Sequence, residues 1–182
     1  MTHPLPPLVA ERLRALRERP AEPTDKGLGL LAPEIGGARG PSPAALAGSR
    51  PPLHAAGFGY PVLTLREPAL AGNLEAMAAY CARAGVELAP HGKTAMSPEL
   101  AARQLASGAW GITVATIGQL LAYRAFGFPR LLMANELVDE AGIAWLADEL
   151  AADPGLVVYC YVDSTDGVSI LDRVLTARPA GH

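Results

Sequence analysis

The segment Glu87–Thr94, with the sequence ELAPHGKT, combines the residue types and spacing best suited to chemistry. It places Lys93 at the end of an apolar run typical of a β-strand, just before a predicted helix. Side chains two residues apart share one face of a strand, so His91 and Ala89 are expected on the same side as Lys93. Burial favours the neutral form of an amine, which attacks a carbonyl carbon to form a Schiff base. The pattern predicts an inward, reactive lysine; the alternative is a surface lysine in a strand-to-helix loop.

The same lysine could belong to a phosphate-binding loop, because such loops also end in Gly-Lys-Thr. That motif requires a glycine five positions before Gly92, where this chain has Glu87. Pro90 and His91 are also unsuited to a backbone that must wrap phosphates. The sequence therefore does not favour a nucleotide-binding loop.

Composition excludes several other classes of protein. The chain has 182 residues, of which 50% are hydrophobic and 18% charged, which predicts a globular domain or part of a larger one. A net charge of −3 offers no basic face for nucleic acid. Two isolated thiols, Cys81 and Cys160, fit a reducing compartment, and no apolar stretch suggests a signal peptide or a membrane span, so a cytoplasmic protein is predicted. No metal site is predicted, because the histidines lack metal-ligand spacing: His3, His54, His91 and His182.

Residues 1–58 are predicted to form an irregular N-terminal arm, because proline and glycine are dense there. One short helix is expected within this arm, from Pro7 to Arg19, where leucines recur at roughly helical spacing among charges.

Residues 59–182 alternate between apolar strands and helices. The predicted strands are Tyr60–Leu65, Val86–Pro90, Gly111–Thr116, Arg130–Asn135 and Leu156–Val162. The predicted helices are one from Pro68 to near Gly85, one capped by Ser97 that ends at Gly108, and then Gln119–Phe126, Asp139–Ala152 and Thr165–Ala177. Counted from the strand that begins at Val86, four strand–helix units in a row predict a parallel sheet with right-handed crossovers. Two architectures fit this pattern. One is a complete doubly wound sheet, and the other is half of a (β/α)₈ barrel, since a whole barrel needs about 250 residues.

The run PHGKTAMSPELAARQLASGAWGITVAT, continued by LLMANELVD and CYVDS, resembles the alanine-racemase-type barrel of fold-type III pyridoxal-phosphate (PLP) enzymes. Within that group it is most similar to the D-threonine aldolase and D-serine dehydratase branch, which includes amino acid deaminases. The resemblance implies that Lys93 is the Schiff-base lysine and that PLP is the cofactor. It also implies an α/β fold in which residues 59–182 form the N-terminal half of a (β/α)₈ TIM barrel. The implied function is a lyase or deaminase acting on D-β-hydroxy amino acids.

The resemblance implies a full barrel followed by a β-rich domain that holds divalent-metal ligands. This chain stops after about the fourth strand–helix unit. The metal ligands are therefore expected to be absent, as are the loops after the seventh and eighth strands that commonly hold phosphate. The alternative function is a non-catalytic barrel fragment, or a PLP-binding protein without turnover. A half-barrel has open strand edges, so self-association or pairing with a missing C-terminal half is predicted.

Four further residues are candidates for contact with the cofactor. Thr116, Asn135 and Asp163 follow the carboxyl ends of predicted strands, where (β/α) barrels place active-site groups. His91 is expected to touch the cofactor ring or to tune the lysine. Each has a structural alternative: a histidine that fills the barrel interior at His91, and caps of the following helices at the polar residues, as the sequence Asp163-Ser164-Thr165 suggests.

Overall fold

The computed structural model describes residues 3–19, 42–49, 52 and 63–178. The chain divides into two compact units, one made of Met1–Val9 together with Asn73–His182 and the other of Ala10–Gly72. The division of the sequence into an arm (1–58) and a barrel half (59–182) stays a prediction.

Seven helices lie within the described residues: α1 (Pro7–Glu18), α2 (Pro43–Ser49), α3 (Glu67–Ala84), α4 (Pro98–Ala106), α5 (Ile117–Ala125), α6 (Glu140–Ala152) and α7 (Thr165–Thr176). The first matches the helix expected from Pro7 to Arg19. The second falls in a segment predicted to be irregular, and Ser42 begins it by accepting a hydrogen bond on Oγ from the N–H of Ala45 at 3.2 Å. Most of the remaining arm lies outside the described residues.

Three parallel strands form the sheet of the larger unit, in the order β1 (Ile112–Val114), β2 (Arg130–Glu136) and β3 (Val157–Tyr161). Helix α5 connects the first pair and α6 connects the second. The structure thus confirms a parallel α/β arrangement with these strands close to their predicted positions. Its continuation into a barrel stays a prediction.

The predicted strand Val86–Pro90 is extended but is not a regular strand. The N–H of Trp110 donates to the carbonyl of Leu88 at 2.8 Å, and the N–H of Thr113 donates to that of Pro90 at 2.8 Å. Proline has no N–H to return, so the ladder is interrupted. Only one bridge results, between His91 and Thr113 in parallel orientation.

The predicted strand Tyr60–Leu65 is wrong over residues 63–65, which are not in a strand. Positions 60–62 lie outside the described residues, and positions 63–66 have no strand partner within the described part of the chain. Leu63 is 91% exposed. An extended segment without a neighbouring strand leaves its backbone groups to water, so an apolar run alone does not make a strand.

The core of the larger unit lies between the sheet and its crossover helices. Ile112 pairs with Leu131 and Val114 with Met133, and all four side chains are buried. The helices supply further buried side chains, including Leu120, Tyr123, Ile143 and Leu146. Each large apolar side chain buried in this way stabilises the fold by roughly 1.5–3 kcal/mol relative to an exposed one.

Local signals in the sequence set the helix ends. Ser97 caps α4, with Pro98 at its first position. Gly85 and Gly108 follow α3 and α4 with φ values of +66° and +99°, a conformation that glycine adopts without strain. Helix α3 has no buried residue, and Met77 on it is 47% exposed. Of the helices in the described ranges, none is long and apolar enough to span a membrane.

Candidate active site

Lys93 lies immediately beyond the point where the chain leaves the sheet. The bridge at His91 is closed by the N–H of Gly92, which donates to the carbonyl of Thr113 at 2.7 Å. Lys93 then begins a turn of three residues and is exposed. The carboxyl ends of parallel strands meet at one edge of a sheet, so Lys93 is at the edge where (β/α) enzymes place their chemistry.

The turn that carries Lys93 is closed by Met96, whose N–H donates to the carbonyl of Gly92 at 2.9 Å. Met96 has a φ of +44°, in the left-handed region that non-glycine residues rarely enter. Ser97 follows and caps α4 by accepting from the N–H of Leu100 at 3.3 Å. The lysine is therefore held on a short turn between a sheet edge and a capped helix.

The expectation that Lys93 and His91 point inward on one strand face is wrong in this structure, since both residues are exposed. Strand alternation cannot be extended through Gly92, because the backbone turns there. No hydrogen bond or ion pair engages Lys93 within the described ranges of the chain. The lysine amine is thus available to a ligand without prior loss of a partner.

Thr116 is primarily a helix cap. Its Oγ1 accepts from the N–H of Gln119 at 3.3 Å, and the Gln119 side chain accepts from the N–H of Ala115 at 2.9 Å. The pair resembles a capping box, in which a Thr and a Gln three residues apart satisfy free N–H groups at the start of a helix. The Thr116 hydroxyl can still donate its own proton.

Asn135 reaches back from the end of β2 to the same loop, since its Nδ2 donates to the carbonyl of Ala115 at 3.2 Å. The pairing of β2 with β3 shifts at this point, from Met133 with Cys160 to Glu136 with Tyr161. Such a bulge re-aims the side chains of the longer strand. Asn135 and the loop before Thr116 are the candidate elements that the structure brings together.

Asp163 is exposed and does not cap α7. Ser164 does so instead, accepting on Oγ from the N–H of Gly167 at 3.1 Å. Within the described residues, no hydrogen bond joins Asp163 to Lys93 or Asn135. Its place at the site rests only on its position after β3.

Two residues that sequence reasoning missed hold the site. Tyr123 is buried in α5, and its hydroxyl donates to the carbonyl of Gly92 at 3.0 Å. Gln119 fixes the loop before Thr116, and the Thr-x-x-Gln spacing could have identified it. The role of Tyr123 has no comparable signal in the sequence, because it depends on a contact between residues 31 positions apart.

The described part of the chain offers neither an activated thiol at Cys160 nor a metal-binding cluster. Burial raises the pKa of the Cys160 thiol, which disfavours the thiolate that a nucleophile requires. No cluster of three or more His, Cys, Asp or Glu side chains suited to a metal ion occurs in the ranges that the structure describes.

A cleft of about 430 Å³ lies at the opposite edge of the sheet, and its lining includes Glu87, Trp110 and Arg130. Trp110 stacks on Tyr159 with ring centroids 5.1 Å apart. Arg130 precedes the buried part of β2, so the cleft is at the amino ends of the strands. It is not the site of Lys93.

Comparison with known proteins links this chain to D-threonine aldolases. No protein-family model matches it. Over 86 residues it is 40% identical to a D-threonine aldolase from an Arthrobacter species, an alignment that covers 47% of this chain and 23% of the aldolase. The crystal structure of the D-threonine aldolase from Filomicrobium marinum matches with a TM-score of 0.60 at 28% identity, covering 66% of this chain and 32% of that one. The chain therefore spans less than a third of the length of either protein.

Proposed function

We propose that Lys93 binds PLP covalently, and that this chain is the lysine-bearing part of a lyase of the D-threonine aldolase type built on part of a (β/α)₈ barrel. The observation that carries the proposal is the position of Lys93, exposed on a short turn at the carboxyl edge of a parallel sheet. The sequence and structural similarity to D-threonine aldolases supports the reaction class.

The residues at this edge fit the reactive end of PLP. The cofactor carries an aldehyde, and Lys93 offers an amine that is exposed and has no ion-pair partner in the described residues. Thr116 retains a hydroxyl proton, and Asn135 retains a carbonyl oxygen and a second N–H, after the bonds they already make. These groups could hold ring substituents of a planar ligand. His91, exposed and two residues before the lysine, is the remaining candidate for contact with the ring.

The chemistry assigned to this edge divides between the cofactor and the chain. When bound, PLP supplies an electron sink for the pair left on the α-carbon of an amino acid. Cleavage of D-threonine between Cα and Cβ removes the proton of the β-hydroxyl, releases acetaldehyde and returns a proton to Cα to give glycine. With a substrate amine in its place on the cofactor, the Nζ of Lys93 would be free to hold or move a proton beside Cα. The similarity to aldolases favours this cleavage over loss of the β-hydroxyl.

Borohydride reduction in the presence of PLP, followed by peptide mapping, tests the assignment of the lysine. The chain has two lysines, Lys26 and Lys93. We expect the label on Lys93, its loss in Lys93→Arg and its retention in Lys26→Arg, since arginine keeps the charge but does not form a stable Schiff base. A label mainly on Lys26 would show that Lys93 is not the cofactor lysine.

The substrate class is tested by protection of Lys93 from the same label. A substrate amine that replaces the lysine removes PLP from it, so prior addition of D-threonine should lower the yield of labelled Lys93. L-Threonine is the matched control, because free PLP reacts with both enantiomers alike. Equal protection by the two enantiomers would argue against a site for D-amino acids.

A further inference from the structure

We infer that Tyr123 is a positioning residue, which fixes the turn carrying Lys93 through the backbone of Gly92. The inference rests on the proposed role of Lys93 and extends it to a residue whose hydroxyl bonds to the backbone of Gly92. Two sets of contacts carry it, those that hold the Tyr123 ring and those that hold Gly92.

The Tyr123 ring is fixed within the core. Its side chain is 2% exposed, and the ring meets that of Phe128 edge-on, with centroids 5.2 Å apart and planes at 84°. Phe128 itself is fully buried. Such an aromatic pair restricts the tyrosine to one orientation, and in that orientation the hydroxyl reaches Gly92.

Gly92 is held at both of its peptide groups. Its carbonyl accepts two hydrogen bonds, one from the Tyr123 hydroxyl at 3.0 Å and one from the N–H of Met96 at 2.9 Å. Its N–H donates to the carbonyl of Thr113 at 2.7 Å. Because Lys93 is the next residue, these bonds fix the direction in which its side chain leaves the backbone.

The hydroxyl of Tyr123 acts only as a donor in this arrangement. Burial raises its pKa above the ordinary value for tyrosine, so the proton stays on the oxygen throughout the neutral and moderately alkaline range. Ionisation would set a negative oxygen against the carbonyl of Gly92, and the raised pKa disfavours that state. The hydroxyl therefore donates to the carbonyl of Gly92 throughout that range.

The test uses Tyr123→Phe in the full chain, because phenylalanine keeps the ring and its packing and removes only the donor. Tyr80→Phe is the matched control, since Tyr80 is 59% exposed on α3. In Tyr123→Phe we expect the amide of Met96 to exchange its hydrogen about fivefold faster, the change that loss of one hydrogen bond produces. The amide of Leu132 in β2 should keep its rate in both variants.

The second readout is the rate at which Lys93 is labelled by PLP and borohydride. We expect a several-fold lower rate in Tyr123→Phe, by the same factor for PLP and for pyridoxal, because the defect lies at the lysine and not at the phosphate. A general loss of stability would accelerate exchange at Leu132 as well, which distinguishes it from a positioning effect. An unchanged labelling rate in Tyr123→Phe would overturn the inference.

The outcomes separate this inference from the proposed function. If the wild-type chain is not labelled at Lys93, the proposed function fails, and hydrogen exchange alone decides the role of Tyr123. Faster hydrogen exchange confined to the amide of Met96 would then support the role of the Tyr123 hydroxyl in fixing the turn, and unchanged exchange would refute it.

Discussion

Gly92 lies so close to Tyr123 that a Cβ built on the glycine would stand 2.5 Å from the tyrosine hydroxyl. The same Cβ would stand 2.8 Å from Cγ2 of Ile112, which is fully buried. Packing against the core therefore requires glycine at position 92, because a larger residue would clash there. The next residue, Lys93, lies on the exposed side of the turn that the hydrogen bonds of Gly92 hold in place.

Gly92→Ala should destabilise the chain by about 1–3 kcal/mol, because the added methyl must displace the ring of Tyr123 or the side chain of Ile112. Gly118→Ala is the matched control, since nothing lies within 4 Å of its Cβ position and it is in helix α5. There alanine should raise stability by up to about 1 kcal/mol. Denaturant unfolding measures the free energy of unfolding of both variants. If Gly92→Ala were as stable as the wild type or more stable, the close contacts at Gly92 would not restrict the size of this residue.

Met96 supplies a second test of the turn. Asparagine tolerates a positive φ better than methionine, whereas a β-branched residue tolerates it worst. Met96→Asn should therefore leave stability unchanged or raise it, and Met96→Val should lower it by about 1–3 kcal/mol. Met77→Asn, at an exposed position on a regular helix, should instead lose a few tenths of a kcal/mol. Met96→Val as stable as the wild type would contradict the backbone conformation described for this turn.

The alternation of strands and helices was predictable from the sequence because its signals are local. Ser97 and Pro98 start a helix and Gly108 ends one through contacts within a few residues, and the structure has these ends where they were expected. The turn at Lys93 was not predictable by the same means. It depends on the missing N–H of Pro90 and on a hydroxyl 31 positions away, and strand periodicity contains neither.

The candidate residues Thr116 and Asp163 also show what sequence patterns cannot predict, because one of them caps a helix and the other does not. Both follow strands and both could cap a helix from sequence alone. The structure assigns the cap at α5 to Thr116 itself, and at α7 to Ser164 rather than to its neighbour Asp163. Which residue caps the helix depends on how the chain leaves the sheet. A sequence pattern cannot distinguish between two neighbouring residues that are both able to cap.

Thr116→Ala and Ser164→Ala separate capping from cofactor binding at Thr116. Each variant removes one side-chain acceptor at a helix start and should cost about 1 kcal/mol of stability. Only Thr116→Ala should also lower the yield of PLP label on Lys93, since Thr116 shares its loop with the carbonyl that Asn135 contacts. Thermal unfolding and quantitative peptide mapping give the two values, and equal labelling in both variants would show that Thr116 is a cap alone.

We expect part of the loss of stability in acid to come from the ion pairs of Arg124, which joins α5 to the end of α6. Its Nε lies 2.7 Å from Oε2 of Glu149 and its Nη2 lies 2.8 Å from Oδ2 of Asp153, with 15% of the arginine side chain exposed. The backbone N–H of Gly155 and the Arg124 guanidinium hold the pKa of Asp153 below its ordinary value. Unfolded aspartate titrates near about pH 3.9, so the stabilisation is complete above that pH and is lost as the pH falls through the lower folded-state pKa.

Arg124→Gln should therefore lower the free energy of unfolding by up to about 1 kcal/mol at pH 7, and the difference from the wild type should shrink as the pH approaches 2. Arg173→Gln is the matched control, because Arg173 pairs with Glu140 at 2.8 Å but both side chains are 59% exposed. That pair is screened by water, so its loss should have the smaller effect at neutral pH. Urea unfolding at a series of pH values measures both curves. A difference between Arg124→Gln and the wild type that stays constant down to pH 2 would show that the charge pairing of Arg124 with Glu149 and Asp153 does not stabilise the fold.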